Sequence, residues 1–412
     1  MEEAIRCSMH EVGGKLLEKL LNVDRGYRGP QVKCAGGHQA SFVEYRKKSL
    51  VTVLSEIEVV RAYYYCAQCK GGVIPKDLEL NISQTLFSPG VRRMMSTVGS
   101  KEPFEEGRQD LAELAGIRVS TKEIERVSEA TGEQVLALLD RDRDAALIGR
   151  IEPIRPVPLM YIGIDGTGVP IVRRELEGRK GKDGQAHTRE AKLGCVFTQT
   201  MTDKDGRPLR DDNSTTYVGG IEEAKPFGER IYAEAVRRGL NRATRVAVLG
   251  DGAPWIWTIA DHHFHGAIQI VDLYHARQHI SDLGKLVYGS VPAKSDEWIR
   301  MRYDELDRGE IEELVRTIRR LRPRSDEAKK AVRRAGQYFA NNAKRMRYAD
   351  FRRQGLFVGS GVVEAGCKTL FGRRLKQSGM HWTTRGANSI IALRCIRLSG
   401  RTEEFYEWLS AS

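Results

Sequence analysis

The stretch PLMYIGIDGTGVPIV, residues 158–172, contains a run of apolar residues that ends at an aspartate followed at once by glycine. A second stretch, TRVAVLGDGAPWIW at 244–257, repeats this order with Asp251 and Gly252. Short apolar runs rich in valine and isoleucine and bounded by glycine predict buried strands. We predict a strand, a turn and a second strand in the first stretch, and one strand in the second.

The segments around these stretches alternate between sequence patterns typical of strands and patterns typical of helices. KLGCVFTQT at 192–200 predicts another strand, and KPFGERIYAEAVRRGL at 225–240 predicts a helix. AIQIVDLYHARQH at 267–279 begins as an apolar strand, and from about 280 to 355 the pattern is helical. Strands that alternate with helices indicate an α/β domain with a largely covered sheet.

Three acidic residues in this region are candidates for chemistry. An ionised carboxylate at a buried strand is costly unless it faces a cation, and Asp165 and Asp251 both follow apolar runs. Each acid alone also fits an ordinary strand-end or capping aspartate. Glu364 is the only carboxylate in the helical stretch 360–376, among several basic residues. Together the three acids would suit two divalent ions in an oxygen environment.

The N-terminal region has the spacing of a metal site. Strand-like stretches at 40–54 and 57–65 are flanked by Cys34 and His38 on one side and by Cys66 and Cys69 on the other. This layout is typical of a zinc ribbon, in which two knuckles bring four ligands to one tetrahedral ion. The first knuckle is irregular, because Gly37 stands where the second thiol would be. A hairpin with buried, metal-free thiols is the alternative.

Residues 86–150 are helical in pattern. Pro103 opens one helix and Gly116 ends it, and Ser120 with Glu123 predicts a capping box at the start of the next. Two helices joined by such a turn indicate a helix-turn-helix, whose second helix would present Thr121, Lys122 and Arg126 to DNA. An ordinary helical hairpin fits the same pattern. Three prolines within 150–158 predict a linker between domains.

Charge is concentrated in one part of the 412-residue chain. Its net charge is +12, and residues 301–400 hold 23 Lys and Arg against 10 Asp and Glu, so the remainder is nearly neutral. A local basic excess of this size favours a polyanion such as nucleic acid. No apolar stretch is long enough to span a bilayer, and the few cysteines and the lack of a secretory signal predict a cytoplasmic protein.

Several strings together resemble the ISKra family of bacterial insertion-sequence transposases over nearly the whole chain. The strings are RAYYYCAQC (61–69), SPGVRRM (88–94), IGIDGTGVP (162–170), LGDGAPWIW (249–257), VDLYHARQHI (271–280) and GSGVVEAGCKTLFGRRLKQSGMHW (359–382). The resemblance implies a DDE transposase with an RNase H-like catalytic domain. Asp165, Asp251 and Glu364 would then be the catalytic acids, holding two Mg²⁺ or Mn²⁺ ions. Asp272 and His275 would support them, as in the Asp-x2-His signature of Mutator-like transposases.

The implied activity is cleavage at transposon ends followed by strand transfer to target DNA, without a covalent protein intermediate. The implied partners are the inverted repeats at the transposon ends, target DNA and further copies of the chain, as a homodimer or higher assembly on DNA in the nucleoid, with no membrane. The residues expected to contact DNA are Thr121, Lys122, Arg126, Arg319, Arg320, Lys368, Arg373, Arg374, Lys376 and Trp382.

The expected fold class is multidomain α/β, in which an all-α insertion interrupts the RNase H-like domain. The expected segments are an N-terminal helix (1–30), a zinc-ribbon-like hairpin (33–75), a helix-turn-helix-like region (86–150), the first catalytic part (156–279), the helical insertion (280–355) and the second catalytic part with C-terminal helices (356–412). Two alternatives remain open: an RNase H-like nuclease or resolvase, and a catalytically silent, transposase-derived DNA-binding protein.

Overall fold

The computed structural model describes residues 1–151, 156–181, 184–289 and 291–411. The chain divides into two compact units, Met1–Thr131 and Gly132–Ser412, with the boundary inside a long helix. Part of the linker predicted at 150–158 lies outside the described residues. Both units combine sheets with helices, so the fold is mixed α/β and multidomain, as predicted. No helix of the described ranges is both long enough and apolar enough to cross a bilayer.

The first unit combines a small sheet with helices at both ends of its sequence. Its elements are α1 (Glu2–Val23), β1 (Gln31–Lys33), β2 (Gln39–Val51), β3 (Glu56–Cys66), β4 (Gly71–Val73), α2 (Pro75–Glu79), α3 (Pro89–Lys101), α4 (Phe104–Ala115) and α5 (Thr121–Leu147). The four strands form an antiparallel sheet in sequence order. The capping box at the start of α5 is confirmed, because Ser120 and Glu123 exchange side-chain and backbone hydrogen bonds.

The second unit is built around a five-stranded sheet. Its elements up to the end of that sheet are β5 (Val157–Pro170), β6 (Thr188–Gln199), β7 (Met201–Thr202), β8 (Pro208–Leu209), β9 (Thr216–Gly220), α6 (Ala224–Arg237), β10 (Ala243–Gly250), α7 (Pro254–His263) and β11 (Ile268–Val271). The strand order is β11-β10-β5-β6-β9. β5, β6 and β9 pair antiparallel, whereas β10 and β11 run parallel to β5.

Helices make up most of the chain after β11. They are α8 (Leu273–Tyr288), α9 (Pro292–Arg308), α10 (Ile311–Arg320), α11 (Asp326–Asn341), α12 (Tyr348–Arg353), α13 (Gly361–Cys367), α14 (Arg373–Leu375), α15 (Thr384–Leu398) and α16 (Thr402–Ala411). Between α13 and α14 the helix continues as a π-helical turn. Helices α6, α13 and α15 pack on the sheet, and its central strands are therefore almost fully buried.

Two of the strand predictions are wrong in their extent. β5 runs through Asp165 without the predicted turn, because β6 pairs with every residue from Leu159 to Pro170 and keeps the intervening glycines extended. The strand predicted at 244–257 stops at Gly250, and α7 begins four residues later. β9 was not predicted, because TYVGG is short and ends in two glycines.

A glycine on β5 allows α13 to lie against the sheet. A Cβ atom at Gly163 would lie 2.3 Å from Cγ2 of Val363 and 2.8 Å from Sγ of Cys195. Val363 is on α13 and is itself buried. Any side chain at Gly163 must therefore push α13 away from the central strand.

The substitution Gly163→Ala tests this contact. We expect it to destabilise the second unit by about 1–3 kcal/mol, the usual cost of overpacking a core, and to lower its Tm. The matched control is Gly361→Ala, on α13 itself, where a Cβ meets no atom within 4 Å. Thermal unfolding followed by circular dichroism measures both, and equal Tm values for the two variants would contradict the packing argument.

Candidate functional site

The first two acids of the sequence analysis lie side by side. Leu249 on β10 pairs with Gly163 on β5 in a parallel ladder, and each acid follows two residues later. Asp165 is still on β5, and Asp251 directly follows β10. Because the two strands are neighbours and run in the same direction, the two acids lie next to each other at the point where β10 ends.

Asp165 is half-buried and held by donors. Its Oδ1 accepts a hydrogen bond from the Gly166 amide at 2.7 Å, and its Oδ2 lies 3.3 Å from Sγ of Cys367. Burial raises the pKa of Asp165, and the negative charge of Asp251 raises it further, although the two hydrogen bonds and His275 act in the opposite direction. Burial, and then Asp165 itself, raises the pKa of Cys367, so that thiol stays protonated as a donor.

The third acid lies on the helix that packs over these strands. Val363 and Cys367 of α13 contact β5, and Glu364 lies between them in sequence. The Glu364 carboxylate is exposed and forms an ion pair with Lys368 at 2.8 Å. Within the described ranges, the three acids do not form a group of ligand atoms closer than 4.8 Å to one another. Asp165 and Asp251 are thus together, and Glu364 is on the adjoining helix with its side chain turned to Lys368.

Asp272 links three segments that surround the acids. Its amide donates to the Gly250 carbonyl at 2.8 Å, next to Asp251. Its Oδ1 accepts from the His275 amide at 2.6 Å and so caps α8. Its Oδ2 accepts from the amide of Ser360, the residue before α13. Asp272 therefore ties the end of β10 to the starts of α8 and α13, while the exposed His275 lies close enough to Asp165 to affect its pKa.

A tyrosine from α11 also reaches the acidic pair. The Tyr338 hydroxyl donates to the backbone carbonyl of Asp251 at 2.9 Å, and its ring fills the space beside Gly252, whose φ is +99°. The ring centroid of His279 lies 4.2 Å from that of Tyr338. Burial raises the pKa of Tyr338, and Asp251 and Asp272 raise it further, so the phenol remains a hydrogen-bond donor.

The predicted DNA-contacting residues of the second unit fall into two groups. Lys368, Arg373 and Lys376 are exposed. Lys368 pairs with Glu364, and Lys376 donates to the hydroxyl of Thr167, two residues after Asp165. Arg319 and Arg320 are exposed at the end of α10. Arg374 and Trp382 are instead buried, with the guanidinium carbon 4.8 Å from the ring centroid. Their burial leaves them no surface for a phosphate or base, which corrects the prediction for these two residues.

The three predicted contacts of the first unit lie on the first turns of α5. Lys122 and Arg126 are exposed, but Lys122 forms an ion pair with Glu125 at 2.8 Å. The Thr121 hydroxyl donates to Glu105 of α4. The pattern is that of two packed helices, and DNA contact by these residues stays a prediction.

Sequence reasoning missed Cys367, Tyr338 and His279. Cys367 is three residues after Glu364, a spacing that puts both on one side of a helix, and this spacing was the signal available. Tyr338 gave no signal, because a tyrosine in a helical stretch is ordinarily a core residue. His279 follows His275 by one helical turn and shares its face of α8.

A second candidate site is formed by Cys34, His38, Cys66 and Cys69, as predicted. Their ligand atoms all lie within 4.8 Å of one another. Cys34 and Cys69 have their Sγ atoms 3.6 Å apart, and Nδ1 of His38 lies 3.1 Å from Sγ of Cys69. Tetrahedral Zn–S bonds of about 2.3 Å place two sulfurs about 3.8 Å apart, so this cluster could hold one zinc ion.

Two turns at the same end of the small sheet bring these ligands together. The turn between β1 and β2 carries Cys34 and His38, and Gly37 there has a φ of +79°, which an L side chain rarely adopts. The turn between β3 and β4 carries Cys69, whose amide donates to Sγ of Cys66 at 3.4 Å. The Cys-x3-His knuckle thus supplies its histidine where a regular knuckle supplies a thiol.

The thiols of the cluster differ in acidity. Burial opposes ionisation of Cys34, but hydrogen bonds from Cys69 and His38 outweigh it and lower its pKa to about 7. Hydrogen bonds to Cys34 and Cys66 raise the pKa of Cys69 to about 11. One thiolate therefore forms readily near neutral pH, and a metal ion would have to displace the proton from the other.

We predict that the purified protein binds one equivalent of zinc and that Cys66→Ser abolishes this binding. Thiols must lose their protons to bind zinc, so affinity should fall as the pH is lowered below neutrality. Metal analysis and competition with a chromogenic chelator measure both effects. Cys7→Ser is the matched control, because Cys7 is exposed and outside the cluster. Less than about half an equivalent of zinc, unchanged in Cys66→Ser, would contradict the site.

The comparisons with known proteins cover nearly the whole chain. The family described as "Uncharacterised protein family (UPF0236)" matches residues 1–411. The UPF0236 protein in vanSb 3'region of Streptococcus gallolyticus is 21% identical over 338 residues, which are 81% of this chain and 69% of that relative. The Drosophila P element transposase strand transfer complex is a solved structure similar over 82% of this chain and 84% of that chain, at 8% identity and a TM-score of 0.25. Because the family match extends over residues 1–411, the chain belongs to the UPF0236 family.

Proposed function

We propose that this protein is a DDE-type DNA transposase that cleaves and joins DNA strands with the acids Asp165, Asp251 and Glu364. The observation that carries the proposal is the placement of Asp165, within β5, beside Asp251, directly after the parallel strand β10, with the helix of Glu364 packed on β5. The ISKra-like motifs are the second support, since all three acids belong to them.

The sheet supports an RNase H-like assignment for the second unit. In that fold the first two acids sit on adjacent strands and the third on a helix that crosses the sheet. β5 and β10 are adjacent, and α13 packs on β5 and β6. The end of α8 and the helices α9 to α12 occupy most of residues 280–355, consistent with the proposed helical insertion there.

The donor atoms of the three acids suit a hard divalent cation. All are carboxylate oxygens, which Mg²⁺ and Mn²⁺ prefer. Two such ions, when bound, would activate a water or a 3′-hydroxyl and stabilise the leaving oxygen of a phosphodiester. Burial raises the pKa of Asp165, and the charge of Asp251 adds to this, so a cation beside the two acids would relieve an existing cost.

Glu364 must leave Lys368 to join the other acids, and the energetic cost of this change is small. The pair is exposed, with 66% of the Glu364 side chain and 74% of the Lys368 side chain accessible. Exposed ion pairs contribute only about 0–1 kcal/mol. A rotation of the Glu364 side chain towards the face of Cys367 would bring its carboxylate towards Asp165, and Lys368 would then be free to meet a DNA phosphate.

Asp272 and Tyr338 act in this proposal as positioning residues. Asp272 fixes the start of α13, and hence the height of Glu364, relative to the end of β10. Tyr338 holds the backbone of the loop that carries Asp251. The helices between β11 and α13 therefore have a role at the acids besides any contact with DNA.

DNA binding is proposed to be mainly electrostatic around the acids. Lys368, Arg373 and Lys376 would neutralise phosphates on both sides of the scissile bond, which fixes position without reading sequence. Recognition of inverted repeats is assigned to the helices of 86–150, with Lys122 and Arg126 as exposed basic residues near the start of α5. The zinc-ribbon-like sheet would support that region.

We predict that Asp165→Asn, Asp251→Asn and Glu364→Gln each reduce Mg²⁺-dependent cleavage of transposon-end DNA by roughly a thousandfold or more. End binding should persist, because it depends on lysine and arginine. Gel assays of cleavage and of joining, with binding measured in parallel, test this. Asp326→Asn is the control, because it neutralises an acid whose side chain is 88% exposed. This variant should cleave DNA at the rate of the parent protein.

Each alternative function has its own outcome in the same assays. Cleavage without joining would assign the protein to the nucleases or resolvases. Binding without cleavage by the parent would assign it to silent DNA-binding proteins. If only Glu364→Gln retains activity, the third acid is a different residue.

We predict that Tyr338→Phe raises the Mg²⁺ concentration required for half-maximal cleavage by about two- to tenfold, because the loop of Asp251 loses a hydrogen bond. Mn²⁺ binding, followed by electron paramagnetic resonance, should weaken in parallel without any turnover. Tyr303→Phe is the matched control, since it removes a tyrosine-to-carbonyl hydrogen bond to Arg277 away from the acids. Equal metal requirements in both variants would show that Tyr338 has only a structural role.

A further inference from the structure

One face of helix α1 packs against the sheet of its own unit. Leu17 and Leu21 pack against the apolar cluster of β2 and β3. Asn22 donates to the Glu58 carbonyl and accepts from the Val60 amide, both at 2.8 Å. Gly14 lies directly against Ser55. This inner face holds the helix in place, so α1 does not depend on another molecule for its position.

The opposite face of α1 is a continuous apolar stripe that the described residues leave uncovered. Its side chains are between 58% and 84% exposed. They are Ile5, Met9, Val12, Leu16, Leu20 and Val23. Single exposed apolar residues are normal, but six aligned on one helix about 33 Å long form a patch that soluble proteins ordinarily cover.

The spacing of the stripe is that of a helix–helix seam. The steps between its members are 4, 3, 4, 4 and 3 residues, the alternation that keeps a narrow seam facing a partner helix. Five of the six positions approximately match their own reverse, whereas Val23 would lie opposite Glu2 of the other copy. When two copies run antiparallel, Ile5 meets Leu20, Met9 meets Leu16, and Val12 lies near its counterpart at the centre.

We propose that α1 is a self-association surface, in which the stripes of two copies of this chain pack antiparallel about a two-fold axis near Val12. Such an interface is isologous, because each copy offers the same surface to the other. The proposal does not depend on the chemistry assigned to the acids of the second unit.

Charge favours a second copy over the other possible occupants. The helix has four acidic residues, Glu2, Glu3, Glu11 and Glu18, against three basic ones, Arg6, Lys15 and Lys19. Helices that lie on anionic membranes carry a basic polar face, and contacts with DNA also need a basic excess. A helix with balanced charge around a narrow apolar seam meets neither requirement, and its own copy supplies both the apolar and the complementary charged groups.

Charge also favours the antiparallel orientation. Lys19 lies at the edge of the stripe and would face its own copy in a parallel pair, where like charges repel. In the antiparallel pair Lys19 lies beside Arg6 but within one helical turn of Glu2 and Glu3 of the other copy. Antiparallel packing also opposes the two helix dipoles and places the acidic first turn of one copy within reach of Lys19 of the other.

The oligomeric state of the full chain without DNA tests the proposal. Sedimentation equilibrium of the parent protein should give a dimer at micromolar concentration. Leu16→Glu should weaken the dimer by about tenfold or more, since it buries a charge at the seam. Leu114→Glu is the matched control, because Leu114 is 74% exposed on α4 and outside the stripe. Val12→Glu is the second variant, and circular dichroism confirms that each variant is folded.

Disulfide formation between engineered cysteines tests the orientation, in a Cys7→Ser background that removes the exposed cysteine of α1. A mixture of Ile5→Cys and Leu20→Cys proteins should cross-link between the two variants, whereas Ile5→Cys alone should not. Cross-linking of Ile5→Cys with itself would overturn the antiparallel arrangement. A monomeric parent, or a dimer unaffected by both glutamate variants, would overturn the proposal. Binding of the parent to phosphatidylglycerol vesicles that Leu16→Glu abolishes would assign the stripe to a membrane surface instead.

Discussion

The burial of Asp165 beside a second carboxylate, where β5 and β10 run parallel, is the constraint that the candidate site of the second unit must satisfy. Parallel pairing of β5 and β10 makes Asp165 and Asp251 neighbours, and burial together with Asp251 raises the pKa of Asp165. The surrounding segments offset this cost with donors, which are the amides of Gly166 and Ala253 and the thiol of Cys367. The cation of the proposed function would offset the part of this cost that Asp251 contributes.

Distant segments of the chain hold this arrangement in place. Asp272 links β10, α8 and α13 with one side chain, and Tyr338 reaches the backbone of Asp251 from α11. Gly163 allows α13 to approach the central strand closely. The helices between β11 and α13 thus contribute to the support of Asp251 and to the position of α13, the helix that carries Glu364.

The small sheet of the first unit is held together in a different way. Its antiparallel sheet of four strands has little core of its own, and the cluster of three thiols and one imidazole lies where two of its turns meet. A metal ion there would join turns that the short β1 and β4 strands can hardly hold alone. The apolar stripe of α1 lies on the face of the helix opposite Leu17 and Leu21, and a second copy packed on it would add buried apolar surface to the unit.

The sequence alone determined the class of the fold, the acids that follow the two apolar runs, the capping box of α5 and the four residues of the Cys/His cluster. These follow from local patterns, since apolar runs, glycine positions and ligand spacing act within a few residues. The tertiary structure alone decided that β5 continues through Asp165, that Arg374 and Trp382 are buried, and that Tyr338 reaches Asp251. The physical reason is that periodicity identifies which side chains are buried, whereas only the packing of segments far apart in sequence determines what each of them contacts.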